Sequence, residues 1–163
     1  MDKTEILKEK LADAEVVLIG IGEEFNEKFD RIAEHEQLVK GLELVDAKEE
    51  LAWMVPYFEK IYLQEQNQSD ILSAYRNLYE LVKDKNYYIV TTCIDGLIQK
   101  AGFKPEKIVE PCGNYEKMQC SAKCSTKLYE SEEYANKIKE ALQDGTLEQV
   151  EQPVCPDCGA PLA

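Results

Sequence analysis

Cys120, Cys124, Cys155 and Cys158 form two close pairs with 30 residues between them, and they restrict this chain more than any other feature. The second pair lies in Pro153-Val154-Cys155-Pro156-Asp157-Cys158-Gly159, where glycine after the last thiol lets the backbone turn tightly and point amides at sulfur. Two such pairs supply four thiolates, the tetrahedral donor set of a structural zinc ion. The first pair is spaced Cys-x3-Cys, within the range such sites use. Two disulfides or four free thiols are the competing readings. The metal is favoured in a cytosolic chain, where thiols stay reduced.

The chain has 163 residues, enough for one domain or one domain with a small insert, and its apolar content of 44% suffices for an ordinary core. It carries 32 acidic against 19 basic residues, a net charge of −13. That balance argues against nucleic acid and anionic membranes as partners, because phosphate binding needs a surplus of Lys and Arg on one face. The opening Met1-Asp2-Lys3-Thr4-Glu5 lacks the apolar core of a secretory signal, and no apolar run approaches a membrane span. The expected compartment is the cytoplasm.

Residues 4–14 have the spacing of an amphipathic helix with Leu7, Leu11 and Ala14 on one face. Glu15-Val16-Val17-Leu18-Ile19 reads as a buried strand running into the turn Gly20-Ile21-Gly22, and acidic, helix-like sequence follows to about Lys40. Residues 46–63 place Leu51, Val55, Phe58 and Tyr62 on one stripe, which Pro56 should kink or split. Residues 70–83 repeat the pattern through Ile71, Tyr75, Leu78 and Val82. Tyr87-Tyr88-Ile89-Val90-Thr91-Thr92 is a second β-prone run and Lys107-Ile108-Val109-Glu110 a shorter third, while Tyr134, Ile138 and Ala141 mark a helix between the cysteine pairs. Strands alternating with helices predict an α/β fold built on a parallel sheet.

Three places could carry chemistry. Gly20-x-Gly22 after a strand suits close approach of a diphosphate to the backbone, but taken alone it reads sooner as a tight strand-to-helix turn, and Glu23 and Glu24 would compete with phosphate there. Thr91-Thr92-Cys93-Ile94-Asp95-Gly96-Leu97 leaves the second strand at its carboxyl end, where open α/β sheets bind ligands. Asp95 is either a ligand contact or the cap of a helix starting at Gly96, and the two roles are compatible. Cys112, in Glu110-Pro111-Cys112-Gly113, is a lone thiol that could act as nucleophile or weak base, but with no histidine nearby to activate it the leading reading is a small buried hydrophobe. The one histidine, His35, lies in a charged stretch and is expected to be a solvated helix residue.

The order of these motifs resembles that of the sirtuins. Gly20 to Gly22, then Thr-x-x-Ile-Asp-Gly-Leu-x-x-x-Ala-Gly from Thr91 to Gly102, then Val-Glu-x-x-Gly from Val109 to Gly113, then the two cysteine pairs follow that family's sequence of segments. Between about residues 23 and 86 the match is weak. The resemblance implies a partial Rossmann-like parallel sheet with helices on both faces plus a small four-cysteine zinc module, divided as residues 1–114 for NAD and 115–163 for zinc. It implies NAD and zinc as cofactors. Gly20, Ile21 and Gly22 would lie against the diphosphate, and Thr92, Cys93 and Asp95 near the nicotinamide and its ribose. Cys120, Cys124, Cys155 and Cys158 would hold the zinc away from the chemistry.

The expected activity is NAD-dependent removal of acyl groups from lysine or transfer of ADP-ribose, on a protein substrate bearing a modified lysine. The departures qualify this. Family members carry asparagine where this chain has Cys93 and a general-base histidine where it has Cys112, which leaves Cys112 as the candidate catalytic group. The family's cofactor loop Gly-Ile-Pro-Asp-Phe-Arg has Phe29-Asp30-Arg31 as its faint counterpart here. A module that binds NAD, ADP-ribose or a protein without turnover is the alternative. Sirtuins also continue well past the last cysteine pair, so the expectation includes a missing C-terminal part or pairing of an edge strand with a second copy.

Overall fold

The β-prone runs after Glu15 and Lys85 become neighbouring parallel strands. The computed structural model describes residues 2–29, 31–65 and 69–163. In chain order the elements are α1 (Lys3–Asp13), β1 (Val16–Ile21), α2 (Glu36–Ala47), α3 (Val55–Glu65), α4 (Asp70–Val82), β2 (Asn86–Thr91), β3 (Ile108–Val109), β4 (Lys117–Gln119), β5 (Leu128–Glu130) and α5 (Glu132–Asp144), with short 3₁₀ turns between them. They pack as two units, one of residues 1–26 with 68–113 and one of residues 27–67 with 114–163. Residues 27–67 thus pack with the cysteine-bearing half. Among the described residues no helix is long and apolar enough to cross a membrane.

In the first unit β1, β2 and β3 form a parallel sheet in that order, with Leu18 opposite Tyr88 and Ile89 opposite Ile108. The strands are not buried throughout. Val17, Ile19 and Ile21 of β1 and the buried Tyr87 and Ile89 of β2 face one core with Leu72, Tyr75 and Val82 of α4, joined by Leu11 of α1. Val16, Leu18, Tyr88, Val90 and Val109 are exposed on alternate positions, the period of a strand. Helix α4 starts where Ser69 accepts a hydrogen bond from the Leu72 amide at 2.9 Å, a standard N-cap.

After β2 the chain makes a 3₁₀ turn, Leu97–Ala101, where an α-helix was expected, between Gly96 and Gly102 in left-handed conformations. At Gly102 the requirement for glycine is twofold: φ is +101°, and a Cβ would meet the Tyr79 ring at 3.2 Å. Leu97, Ile98 and Ala101 fill the core under α4 from this turn.

In the second unit the expected 46–63 helix is divided. Glu49–Met54 is 3₁₀, and α3 begins at Val55 with Pro56 in its first turn, where the missing amide leaves no helical bond unmade. Phe58, Ile61 and Tyr62 of α3 meet Leu38 and Val45 of α2 and Ala135, Ile138 and Ala141 of α5. β4 and β5 form an antiparallel hairpin with Met118 opposite Tyr129. Lys60 is 2% exposed, and its Nζ lies 2.8 Å from Glu116 Oε2 and 2.8 Å from Ser131 Oγ. The buried ammonium is therefore paired and hydrogen-bonded as burial requires.

His35 is not simply solvated. It packs edge-on to Tyr62, with ring centroids 5.2 Å apart, and its Nδ1 lies 3.3 Å from Glu65 Oε2.

Candidate functional site

The two cysteine pairs meet at the end of the second unit. Cys120 follows β4, and Cys155 and Cys158 sit on the C-terminal turn. Their four Sγ atoms all lie within 4.8 Å of one another, with Cys120 to Cys158 and Cys124 to Cys155 each at 3.5 Å. Four sulfurs at about 2.3 Å from a tetrahedral ion stand roughly 3.8 Å apart, so the cluster fits zinc without rearrangement of the backbone.

The knuckle is built locally. Cys155 N–H donates to Ala160 O at 2.7 Å, Gly159 N–H donates to Cys155 O at 2.8 Å, and Gly159 takes φ +75°. The backbone N–H of Asp157, pointed at sulfur, holds the Cys155 thiol down to about 6, and the N–H of Cys124 lowers Cys120. Crowding by the neighbouring thiols pushes Cys124 up to about 12. Four thiols so close cannot all ionise alone, whereas a divalent cation would take all four as thiolates. The donor set is positioned to bind a metal ion and is compatible with zinc.

In the first unit Gly20, Ile21, Gly22, Thr92, Cys93 and Asp95 come together at the carboxyl ends of β1 and β2. Ile21 stands opposite Thr91, and Thr92 N–H continues the ladder to Ile21 O at 3.0 Å. The chain then turns. Cys93 N–H donates to Thr91 Oγ1 at 3.0 Å, and the Cys93 thiol, buried, donates to Gly22 O at 3.2 Å. Asn26 Oδ1 accepts from Ile94 N–H at 2.9 Å, and Asp95 Oδ1 accepts from Leu97 N–H at 2.9 Å. Asp95, one residue before the Gly96 N-cap, thus closes an Asx turn onto the start of the following 3₁₀ turn, and it is buried at 5% exposure.

A cleft of about 580 Å³ opens beside Gly20, Ile21, Gly22, Glu24 and Phe25. A Cβ built at Gly20 or Gly22 would meet nothing within 4 Å, and neither glycine has a positive φ. Backbone strain does not call for glycine here; what glycine leaves is bare backbone facing open space, the surface against which a diphosphate packs. The exposed Glu24 lines this cleft, suited to ribose hydroxyls and unsuited to phosphate. The residues present fit an NAD-like ligand on steric grounds.

Cys112 lies on the exposed turn after β3, where Gly113 N–H donates to Glu110 O at 3.0 Å and Gly113 takes φ +72°. Since β3 runs parallel to β2, this turn leaves the same edge of the sheet as Thr92. The faint loop counterpart falls elsewhere. Phe29 packs on Tyr62 with centroids 5.5 Å apart and Arg31 pairs with Glu34, both within the second unit, and Asp30 lies outside the described residues.

Two residues of the site carried no signal in the sequence. Asn26 pins the Ile94 amide from a stretch read as helix. Tyr75, read as one more apolar member of the α4 stripe, is buried beside Cys93 and edge-on to Phe25 at 5.0 Å.

The model of the Sir2 family matches residues 15–162. The chain is similar to a protein ADP-ribosyltransferase of Staphylococcus aureus, 25% identical and covering 98% of this chain and 55% of that protein. Among solved structures it is similar to a mutant Sir2 homologue in complex with ADP ribose (TM-score 0.59, 16% identity, 99% of this chain and 61% of that one). It is also similar to Sir2Tm bound to a propionylated peptide (TM-score 0.51, 18% identity, 99% and 62%). The chain spans roughly three fifths of the length of these proteins.

Proposed function

The chain belongs to the Sir2 family, of NAD-dependent deacylases and ADP-ribosyltransferases, and from that premise we propose that it is the NAD-contacting and zinc-bearing part of an enzyme that transfers ADP-ribose to protein. The observation that carries this reading is the convergence of Gly20, Ile21 and Gly22 with Thr92, Cys93 and Asp95 at one end of the parallel sheet. Residues 1–114 carry the cofactor contacts and residues 115–163 the metal, although packing groups residues 27–67 with the latter.

NAD supplies a ribose carbon whose bond to nicotinamide can be broken in favour of an incoming nucleophile. Gly20 and Gly22 would give the diphosphate close backbone contact, and Asp95, fixed by Leu97 N–H, would lie near the nicotinamide and ribose end. Cys93, bonded to Gly22 O, holds the two loops together beneath that end. By the order of the motifs, Cys112 would stand in for the family's general-base histidine. Loss of a positioned base costs about 10²–10⁴-fold in rate, so lysine deacylation, which draws a proton from a ribose hydroxyl through that base, is disfavoured against direct transfer to another nucleophile. Cys120, Cys124, Cys155 and Cys158 hold zinc as a fold element.

The substrate on this reading is a protein. A peptide bearing an acylated lysine is the second substrate class, supported by likeness to Sir2Tm, which is bound to a propionylated peptide. A module that binds without turnover is the remaining reading; a buried Cys112 would have favoured it, and Cys112 is exposed.

The test is nicotinamide release from NAD by zinc-loaded protein, with and without a protein acceptor, in the wild type and in Cys112→Ala. Release that needs Cys112 supports its catalytic role. Release unaffected by the substitution removes Cys112 but keeps the enzyme, and no release at all leaves the binding module.

A further inference from the structure

One face of the three-stranded sheet packs under α4, and the other is open and apolar. Residues 16, 18 and 20 of β1, 86, 88 and 90 of β2 and 109 of β3 point to this open side. The register sets Leu18 beside Tyr88 and Val90 beside Val109. Charged residues make up 31% of the sequence, yet these seven positions hold Val, Leu, Gly, Asn, Tyr, Val and Val. Leu18 is 74% exposed, Val16 56%, Val109 55%, Tyr88 43% and Val90 41%. A sheet face meant for water carries polar residues at such positions, and parallel sheets are as a rule covered on both faces.

The size of the patch restricts what covers it. These five side chains leave on the order of 500 Å² of apolar surface in water, as large as the largest patch of an ordinary monomer. Two copies joined face to face would bury about 1,000 Å² between them, the lower bound of a specific interface. That is enough for a reversible dimer and too little for an obligate one.

The rim carries one charge of each sign. Lys107 Nζ lies 4.0 Å from the centre of the Tyr88 ring and 3.0 Å from Asn86 Oδ1, which places the ammonium on the open face at the N-terminal end of the strands. Glu15 is exposed where the chain enters β1, at that same end. A two-fold axis along β2 lays β1 of one copy over β3 of the other and keeps the N-terminal ends together. Val16 and Leu18 then meet Val109, Tyr88 and Val90 meet their own counterparts, and Glu15 approaches Lys107, each contact occurring twice. The strands of the two sheets run in nearly one direction, as in aligned sheet-on-sheet packing. An uncharged centre and a rim of paired opposite charges let a chain of net charge −13 meet itself.

We propose that the open sheet face is a docking surface for a second copy of this chain, related by a two-fold axis along β2. The proposal rests on the sheet and its rim, and not on the NAD reading given above.

The experiment is sedimentation velocity of the zinc-loaded protein over a range of concentrations. An interface of this size predicts a dissociation constant on the order of 10 μM. The sedimenting mass should therefore rise from 18.6 kDa in dilute samples to twice that in concentrated ones. Leu18→Lys puts an ammonium at the apolar centre, at a position exposed in the single chain, and should weaken dimerisation at least about tenfold. Val109→Lys reads the same contact from the opposing strand, and melting curves establish that each variant folds. Glu15→Lys should weaken the dimer a few-fold, and Glu15→Lys combined with Lys107→Glu should restore it.

A monomer at every concentration overturns the proposal and leaves the face to a different polypeptide. A dimer unchanged by both Leu18→Lys and Val109→Lys also overturns it, by placing the contact elsewhere. Growth beyond two copies would show open-ended adhesion in place of a closed pair. Failure of the double reversal to restore what Glu15→Lys loses rejects the two-fold axis along β2.

Discussion

The Cys93 thiol donates to the carbonyl oxygen of Gly22 at 3.2 Å, joining the loop after β2 to the turn after β1. Cys93 is 2% exposed, whereas Cys112 is exposed on the turn after β3. In zinc-loaded protein, where the four clustered thiols are occupied, iodoacetamide should modify Cys112 first and spare Cys93 until the fold opens. Peptide mapping by mass spectrometry reads this. Modification of Cys93 at the same rate as Cys112 would show that the loops are not tied as described.

Gly20 tests the cleft without disturbing the fold. Its Cβ position is open and its φ is not positive, so Gly20→Val should leave the melting temperature within a few degrees and even suit the strand. The same side chain would stand where a diphosphate must approach. ADP-ribose affinity should fall at least about tenfold, more than 1.4 kcal/mol. Retained affinity would place the ligand elsewhere.

Zinc should be present at one ion per chain in protein prepared under reducing conditions. The four thiols lie within 4.8 Å of one another and the hairpin around them has only three-residue strands, so the second unit depends on the ion. Structural zinc contributes on the order of 10 kcal/mol at such sites. A strong chelator, or Cys155→Ser, should therefore unfold this unit, read by near-ultraviolet circular dichroism. Protein that keeps its signal after complete metal removal would contradict the assignment.

Tyr57 predicts an alkaline transition. Burial, aided by the nearby Tyr134, raises its hydroxyl from 10.0 to about 12, and the hydroxyl donates to Met118 Sδ at 2.8 Å. A group with a raised folded value contributes stability that is complete below its unfolded value and is lost as pH rises through the folded one. Urea midpoints should fall between pH 10 and pH 12, and should fall less in Tyr57→Phe. Parallel pH profiles for the two proteins would exclude Tyr57 as the source.

Much of the fold was legible because its signals are local. The β-branched run at Val16 to Ile19, the stripe through Tyr75 and Val82 and the spacing of the four cysteines each declare themselves within a dozen residues or by a fixed donor count. The grouping of residues 27–67 with the cysteine half was not legible, because periodicity shows that α2 and α3 have an apolar face and not which partner covers it. The three-residue strands β4 and β5 are too short to show alternation. Within the site, Gly20, Gly22 and Asp95 were legible as residue types suited to a ligand. Tyr75 was not, since its ring obeys the helix pattern. His35 was misread for the converse reason: its charged neighbours hid its packing on Tyr62.

The central claim is that these residues form the diphosphate and nicotinamide end of an NAD site on a zinc-stabilised chain. Calorimetric titration of the zinc-loaded protein with ADP-ribose tests it most directly. The account predicts binding at or tighter than about 100 μM, roughly 5.5 kcal/mol. No heat of binding at millimolar ADP-ribose would contradict it and would mean that the convergence of Gly20 and Asp95 does not by itself make a cofactor site.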